Sequence, residues 1–241
     1  ASWGASDEDL FRQADIELSK LHQANKPFFS LIFSSSNHDP FEIPDGVVTP
    51  ITYSKKQLAH YDIKEKMRHK AIQYADYALG KFINKAKQQP YWQNTIFLVV
   101  ADHDARAMGC DLVPVKNFHI PAVIINSGNP PQLDERVASQ IDLAPTLLSL
   151  MGITNHSPML GHDLNNTTVS GRAMMQYADN FAYMTGNDVT ILQPQKAAVN
   201  FSYDFHNKKL TPQKLNAKLA DIALAHVLWG SLAYEHGWYT N

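Results

Sequence analysis

Side chains able to bind a metal cation follow an apolar run near the middle of the chain. Residues 96–100 have the unbroken apolar character of a strand covered on both faces, and Asp102, His103 and Asp104 come directly after it. In parallel α/β sheets, ligands bind at the carboxyl ends of the strands, which is where these residues fall. A carboxylate oxygen and an imidazole nitrogen together suit a divalent cation. Asp102 and His103 are therefore predicted metal ligands, and the remaining ligands must come from elsewhere.

Two further histidines flank predicted strands. His38 lies just past the apolar run at residues 28–33, and His119 immediately precedes the run at residues 121–126. Each histidine has two interpretations, one as a ligand of an anion or a metal and one as a hydrogen-bonded loop residue. A lone histidine is more often a hydrogen-bonded loop residue than a ligand, so both interpretations stay open for His38 and His119.

Arg106 is a candidate anion-binding group in the loop after the Asp-His pair. Its planar guanidinium presents a fork of donors that matches phosphate or sulfate oxygens. The same side chain can instead pair with Asp104 or Asp111 on the loop. Both alternatives remain open at the level of sequence.

The order of elements predicts an α/β fold with a mostly parallel sheet flanked by helices. Apolar residues recur at helical spacing over residues 62–88, between the strand at 28–33 and the strand at 95–101. A strand, a long helix and a second strand form a parallel crossover unit. A third strand at 121–126 and a helix at 141–151 follow, and Gly152 ends that helix.

The pattern changes after about residue 161. Short apolar segments at residues 174–177, 189–192 and 197–203 predict an antiparallel β portion, and a final helix is expected after Thr211-Pro212. We therefore expect one part at residues 1–165 and a small antiparallel β plus helix extension at residues 166–241.

Composition excludes some classes of protein. The chain has 241 residues, of which 44% are hydrophobic and 18% charged, as in globular proteins. A formal net charge of −2 gives no case for nucleic acid as a partner. Cys110 is the single cysteine, so an intrachain disulfide is impossible. The sequence contains no signal peptide and no apolar run of membrane-spanning length, and it opens without methionine, as a processed, trimmed or engineered piece would.

Several segments together resemble the lipoteichoic acid synthase and phosphoglycerol transferase family of the alkaline phosphatase/sulfatase superfamily. The likeness covers about residues 1–165 and follows the order of the C-terminal part of that family's catalytic domain. The segments are WGASDEDLF at 3–11, PFFSLIFSSSNHDPFEIP at 27–44, TIFLVVADHD at 95–104, HIPAVIINSG at 119–128 and SQIDLAPTLLSLMGI at 139–153.

The resemblance implies roles for specific residues. Asp102 and His103 match the family's ligands of the catalytic metal, which is often manganese, with magnesium or zinc elsewhere in the superfamily. His38 matches a histidine beside the substrate's phosphate, and His119 lies where relatives place a polar residue near the site. The nucleophilic threonine or serine and a glutamate ligand are expected upstream, in an N-terminal half that this chain lacks. Relatives usually have glycine after the Asp-His pair, whereas this chain has Asp104.

The resemblance implies a metal-dependent enzyme that transfers phosphoglycerol or phosphoethanolamine between lipid- or glycan-linked phosphoesters. Alternatives are a sulfatase or phosphodiesterase that uses water as acceptor, and a non-catalytic fragment. The implied location is the periplasmic, extracytoplasmic face of a bacterial inner membrane, with anchoring through segments absent from this chain. By itself the chain is expected to be inactive, because it carries no nucleophile.

Overall fold

Helices build the first of the two units into which the chain divides, residues 1–95. The computed structural model describes residues 4–104, 108–154 and 158–239. The helices of this unit are α1 (Asp7–Gln23), α2 (Lys55–His60) and α3 (Ile63–Ala86), followed by a 3-10 turn at Pro90–Asn94. The long helix predicted at residues 62–88 is therefore present as α3.

Side-chain caps fix where the two long helices begin. The Ser6 hydroxyl accepts a hydrogen bond from the Asp9 backbone N–H at 3.3 Å, and the Asp62 carboxylate accepts one from the Glu65 N–H at 2.7 Å. Each bond satisfies an N–H that has no partner within its helix. Asp7 is the first residue of α1, and its buried carboxylate has a role described below.

Helix α1 packs against α3 through aromatic and buried polar contacts. The rings of Phe11 and Phe82 stack with centroids 5.0 Å apart. The buried Tyr91 hydroxyl donates to Asp15 Oδ1 at 2.7 Å, and Lys85 Nζ lies 2.8 Å from the other carboxylate oxygen. Burial, together with the neighbouring Asp15 carboxylate, raises the pKa of Tyr91, so its proton remains available for this bond.

The strand predicted at residues 28–33 is not formed. This segment belongs to no sheet within the described residues, and Phe29, Leu31 and Phe33 are 82%, 79% and 68% exposed. An apolar segment becomes a strand only when neighbouring strands supply hydrogen-bond partners and cover its side chains. The first unit contains helices but no strand to serve as that neighbour in the part of it that is described.

The second unit, residues 96–241, begins with a two-stranded sheet. Strand β1 (Phe97–Val100) pairs with β2 (Ala122–Ile125), and the register aligns Phe97 with Ile125 and Val100 with Ala122. The pair is antiparallel, so the parallel relation predicted for these two strands is wrong. Unbroken apolar character indicates burial, and burial alone does not fix the direction of a neighbouring strand.

The predicted helix at residues 141–151 is confirmed as a short two-part element. A 3-10 turn at Gln140–Asp142 leads into α4 (Leu143–Leu150). Gly152 follows with φ of 71°, a left-handed conformation that glycine adopts without steric cost.

An antiparallel meander with a covering helix forms the C-terminal portion, as predicted. Each strand pairs with the next one along the chain, and the terminal helix contacts the second and third of them. The elements are β3 (Arg172–Tyr177), β4 (Asn180–Thr185), β5 (Asp188–Leu192), β6 (Val199–Asp204), β7 (Lys209–Gln213) and α5 (Ala217–Glu235).

The meander has an apolar cluster on each face. One cluster lies under α5 and contains Tyr183, Leu219 and Ala223. The other cluster buries residues from the loop between β1 and β2 against the sheet. Its buried members are Val113, Val115, Met175, Ala182, Met184, Val189, Ile191 and Tyr203.

The protein therefore has the predicted α/β class, with antiparallel pairing between all strands in the described ranges. Within those ranges, no helix is both long enough and apolar enough to cross a bilayer. The division into parts at residues 165 and 166 stays a prediction.

Candidate functional site

The predicted metal ligands lie side by side directly after β1. Asp102 Oδ2 is 3.4 Å from His103 Nε2, and the two side chains are 59% and 71% exposed. Asp102 Oδ1 accepts a hydrogen bond from the His103 backbone N–H at 2.8 Å. A carboxylate oxygen and an imidazole nitrogen thus share one exposed corner of the second unit.

The His103 ring has a partner for its other nitrogen. Nδ1 lies 3.1 Å from the Asp104 carbonyl oxygen, a contact in which a neutral imidazole donates its proton. That tautomer leaves the Nε2 lone pair available, and metal-binding histidines commonly hold their second nitrogen in this way.

The donor chemistry of the pair fits a divalent cation only as part of a set. Two ligands are fewer than a catalytic metal centre needs. Across the described residues, no group of three or more His, Cys, Asp or Glu side chains is arranged to hold a metal ion. A metal centre at this pair would need further ligands besides Asp102 and His103.

His38 belongs to the first unit, where its loop is anchored by the start of α1. The Asp7 carboxylate, 1% exposed, accepts hydrogen bonds from the backbone N–H groups of Ser35 at 3.2 Å and Ser36 at 3.1 Å. His38 itself is exposed, and its Nδ1 lies 2.8 Å from the Asp39 carbonyl oxygen. The anchored loop thus presents an imidazole at the surface of this unit.

His119, one of the other two predicted anion-binding residues, lies in the loop between β1 and β2. His119 is exposed and follows the 3-10 turn at Val115–Phe118. Arg106 lies outside the described residues.

The sequence did not indicate which groups hold the loop that carries the Asp-His pair. Gln140 Nε2 donates to the carbonyl oxygens of Ala101 at 3.0 Å and Asp102 at 3.3 Å. Gln140 stands in the segment that carries the resemblance, but its spacing of 38 residues from Asp102 gives no local signal of contact. Only the folded arrangement reveals this bond.

Comparison with protein families gives the class of the chain. The family model described as Sulfatase matches residues 1–153. The chain belongs to the sulfatase family.

Curated relatives include lipoteichoic acid synthases, which confirms the resemblance predicted from the sequence. The lipoteichoic acid synthase-like YvgJ of Bacillus subtilis is 29% identical over 183 residues, covering 68% of this chain and 28% of the relative. The lipoteichoic acid synthase of Staphylococcus saprophyticus is 25% identical over 201 residues, covering 76% of this chain and 30% of the relative. The chain therefore spans less than a third of the length of these relatives.

Solved structures share the fold along the whole chain. A protein in the alkaline phosphatase superfamily from Vibrio parahaemolyticus matches with a TM-score of 0.90 and 45% identity, covering 100% of this chain and 57% of that one. The lipoteichoic acid synthase LtaP from Listeria monocytogenes matches with a TM-score of 0.74 and 21% identity, covering 99% of this chain and 60% of that one. The C-terminal meander is thus part of the shared fold.

Proposed function

We propose that the complete protein is a metal-dependent enzyme of phosphoester group transfer, acting on phosphoglycerol or phosphoethanolamine head groups. The observation that carries this proposal is the exposed Asp102–His103 pair after β1 in a chain of the sulfatase family. Curated relatives named lipoteichoic acid synthase favour a lipid- or glycan-linked phosphoester as the substrate.

Asp102 and His103 are the residues that would hold the metal, with Mn²⁺ preferred over Mg²⁺ or Zn²⁺. A bound cation of this kind makes a hydroxyl group acidic and offsets negative charge on a phosphate oxygen. Gln140 orients the Asp102 backbone, and the Asp104 carbonyl holds the His103 ring with Nε2 available. Three groups are assigned to the substrate's anionic oxygens: His38, His119 and Arg106.

We assign the nucleophile and at least one metal ligand to polypeptide outside residues 1–241. The Vibrio protein supports this assignment, because the matching region is 57% of its chain. The exposed apolar side chains of Phe29, Leu31 and Phe33 support it as well, since they alternate as in a strand that lacks its neighbours. In this proposal, residues 1–165 complete the catalytic domain and residues 166–241 form an extension packed on it.

We place the complete protein at the extracytoplasmic, periplasmic face of a bacterial inner membrane. The substrate class supports this location, because a lipid-linked head group lies at a membrane surface. Anchoring is assigned to segments outside residues 1–241.

A hydrolase is the second candidate, because the matching family model is described as Sulfatase. In that case water rather than a glycan or lipid hydroxyl accepts the group, and the substrate is a sulfate ester or a phosphodiester. The two candidates share the metal site and differ in the final acceptor. The third alternative, a non-catalytic fragment kept for binding or produced by proteolysis, concerns the isolated chain and predicts no turnover by residues 1–241 alone.

Mass spectrometry of the complete protein tests these alternatives directly. The protein is incubated with Mn²⁺ and phosphatidylglycerol, and peptides are searched for a phosphoglycerol adduct on threonine or serine. We expect the adduct, and we expect added glycolipid to remove it faster than water does. If water removes the adduct as fast as added glycolipid does, the result supports the hydrolase. If no phosphodiester or sulfate ester gives either an adduct or a product, the result contradicts both enzymes.

Replacing His38 by alanine is expected to lower turnover while leaving the metal bound. A hydrogen bond to a charged phosphate oxygen contributes about 1.5–3 kcal/mol, so kcat/KM falls about 10- to 100-fold. The measurement is turnover of a nitrophenyl phosphodiester, combined with metal content by elemental analysis. His60→Ala, an exposed histidine of the same unit, is the matched control. Normal turnover in His38→Ala would assign this histidine to the loop rather than to the substrate.

A further inference from the structure

Contacts that lead to strands β3 and β4 hold the loop between β1 and β2 at its start and near its middle. Its described parts are residues 101–104, which carry the candidate metal ligands, and residues 108–121. Hydrogen bonds at both places lead to β3 or to the first residue of β4, and all of these residues belong to the second unit.

At the start of the loop, Gln140 connects the metal ligands to β3. Its side-chain amide donates to the carbonyl oxygens of Ala101 and Asp102. The adjacent residue, Ser139, is buried, and its hydroxyl accepts a hydrogen bond from the Met174 backbone N–H of β3 at 2.9 Å. The position of Gln140 is therefore set by the strand.

A buried ion pair fixes the same segment a second time. Arg172, the first residue of β3, places Nη1 2.8 Å from Asp142 Oδ1, and the two side chains are 2% and 1% exposed. Asp142 Oδ2 accepts the Ser139 backbone N–H at 2.8 Å. Ser139 and Asp142, which precede and follow Gln140 in the chain, are thus bonded to β3 and to each other.

Near the middle of the loop, the last residue of β3 and the first of β4 hold its backbone. The Gly109 N–H donates to the Tyr177 hydroxyl oxygen at 3.3 Å, and that hydroxyl lies 3.4 Å from the Gly109 carbonyl oxygen. The Asn180 side-chain amide donates to the Leu112 carbonyl oxygen at 2.8 Å. These hydrogen bonds hold the backbone of residues 109–112 against the sheet.

Packing adds to these bonds. Val113, with no exposed surface, lies in the core cluster of the meander. A Cβ atom at Gly109 would lie 2.7 Å from Pro114 Cβ, so the loop folds tightly against itself at the point that Tyr177 contacts. The middle of the loop is thus anchored by side chains from the sheet, by burial and by close backbone approach.

We propose that β3, with its turn to β4, is the positioning element of the candidate metal loop. Gln140 and Tyr177 act as positioning residues that touch neither metal nor substrate. They restrict the loop before a cation binds. Less conformational entropy is therefore lost when Asp102 and His103 bind it. This assignment rests on the proposed function, and it gives the meander of strands β3 to β7 a role in metal affinity.

The test measures the Mn²⁺ dissociation constant of the complete protein by electron paramagnetic resonance titration of free Mn²⁺. Gln140→Ala and Tyr177→Phe each remove one anchor, and we expect each to weaken binding about 2- to 10-fold, the effect of one hydrogen bond. Saturating Mn²⁺ is expected to restore the original kcat, because the reacting groups are unchanged. Titrations are run well below the melting temperature of every variant, so unfolding does not contribute.

Gln132→Ala and Tyr234→Phe are matched controls at exposed positions and should bind Mn²⁺ as the parent does. If both anchor variants keep the parent's affinity for Mn²⁺ while Asp102→Ala and His103→Ala lose the metal, the positioning role is overturned and the metal assignment stands. Parent-like affinity in all four variants overturns the metal assignment itself. A loss of kcat in the anchor variants that saturating Mn²⁺ does not restore also contradicts the inference.

Discussion

Alanine at Asp102 or at His103 is expected to weaken Mn²⁺ binding by the complete protein at least about 100-fold. Each substitution removes one of the two donors that the structure places 3.4 Å apart. Replacing groups that merely support a metal ligand commonly costs about 10- to 100-fold, and loss of a ligand itself should cost at least as much. Elemental analysis after dialysis and titration with Mn²⁺ measure the effect, and phosphodiester turnover should fall with metal content.

Two exposed residues of the second unit provide controls for this experiment. Asp221→Ala on α5 and His206→Ala in the turn between β6 and β7 remove the same side-chain types and should leave metal content unchanged. Because both ligand positions are largely exposed, neither substitution should destabilise the fold appreciably. Unchanged metal content in both Asp102→Ala and His103→Ala would show that the cation, if bound at all, is held elsewhere.

Elements defined by local interactions were predictable from the sequence. Helix α3 carries its own apolar periodicity and its own cap, Asp62, and α4 is followed by Gly152 in a left-handed conformation. These signals act within a few residues of the chain. Each therefore determines structure in the same way whichever fold surrounds it.

Elements defined by distant partners were less predictable. The run at residues 28–33 has strand character, yet a strand exists only beside another strand, and the described part of the first unit offers none. Pro212 is typical of a helix start, yet it lies in β7, which pairs with β6 at the edge of the five-stranded sheet. Proline is tolerated there because an edge strand has one side without hydrogen-bond partners.

The same distinction applies to the candidate site. Asp102 and His103 are consecutive, so their proximity followed from the sequence, and the structure adds the bond that orients the imidazole. The contacts of Gln140 and Tyr177 join positions 38 and 68 residues apart. No periodicity or turn signal encodes such contacts, so a single sequence does not reveal which groups hold the loop.

Replacing Arg172 by methionine is expected to destabilise the second unit strongly. The guanidinium donates to both Asp142 oxygens, at 2.8 and 3.0 Å, and to the Leu160 carbonyl oxygen at 2.6 Å. Methionine approximates the length of the arginine stem but leaves a carboxylate buried without its counter-charge. Breaking a buried ion pair by removing one partner costs about 3–5 kcal/mol, a large share of the stability of a typical domain. Urea unfolding followed by circular dichroism measures the loss.

A second variant distinguishes the charge effect from general damage to the core. Adding Asp142→Asn to Arg172→Met removes the uncompensated charge. The asparagine retains an amide oxygen, which can still accept the hydrogen bond that the His162 N–H donates to Asp142 Oδ1 at 2.7 Å. The double variant should therefore be more stable than Arg172→Met alone. Arg12→Met, in the exposed ion pair with Asp9, is the matched control and should change stability by less than about 1 kcal/mol. A double variant less stable than Arg172→Met would mean that the hydrogen bonds of Asp142, rather than its pairing with Arg172, hold β3 to the segment before α4.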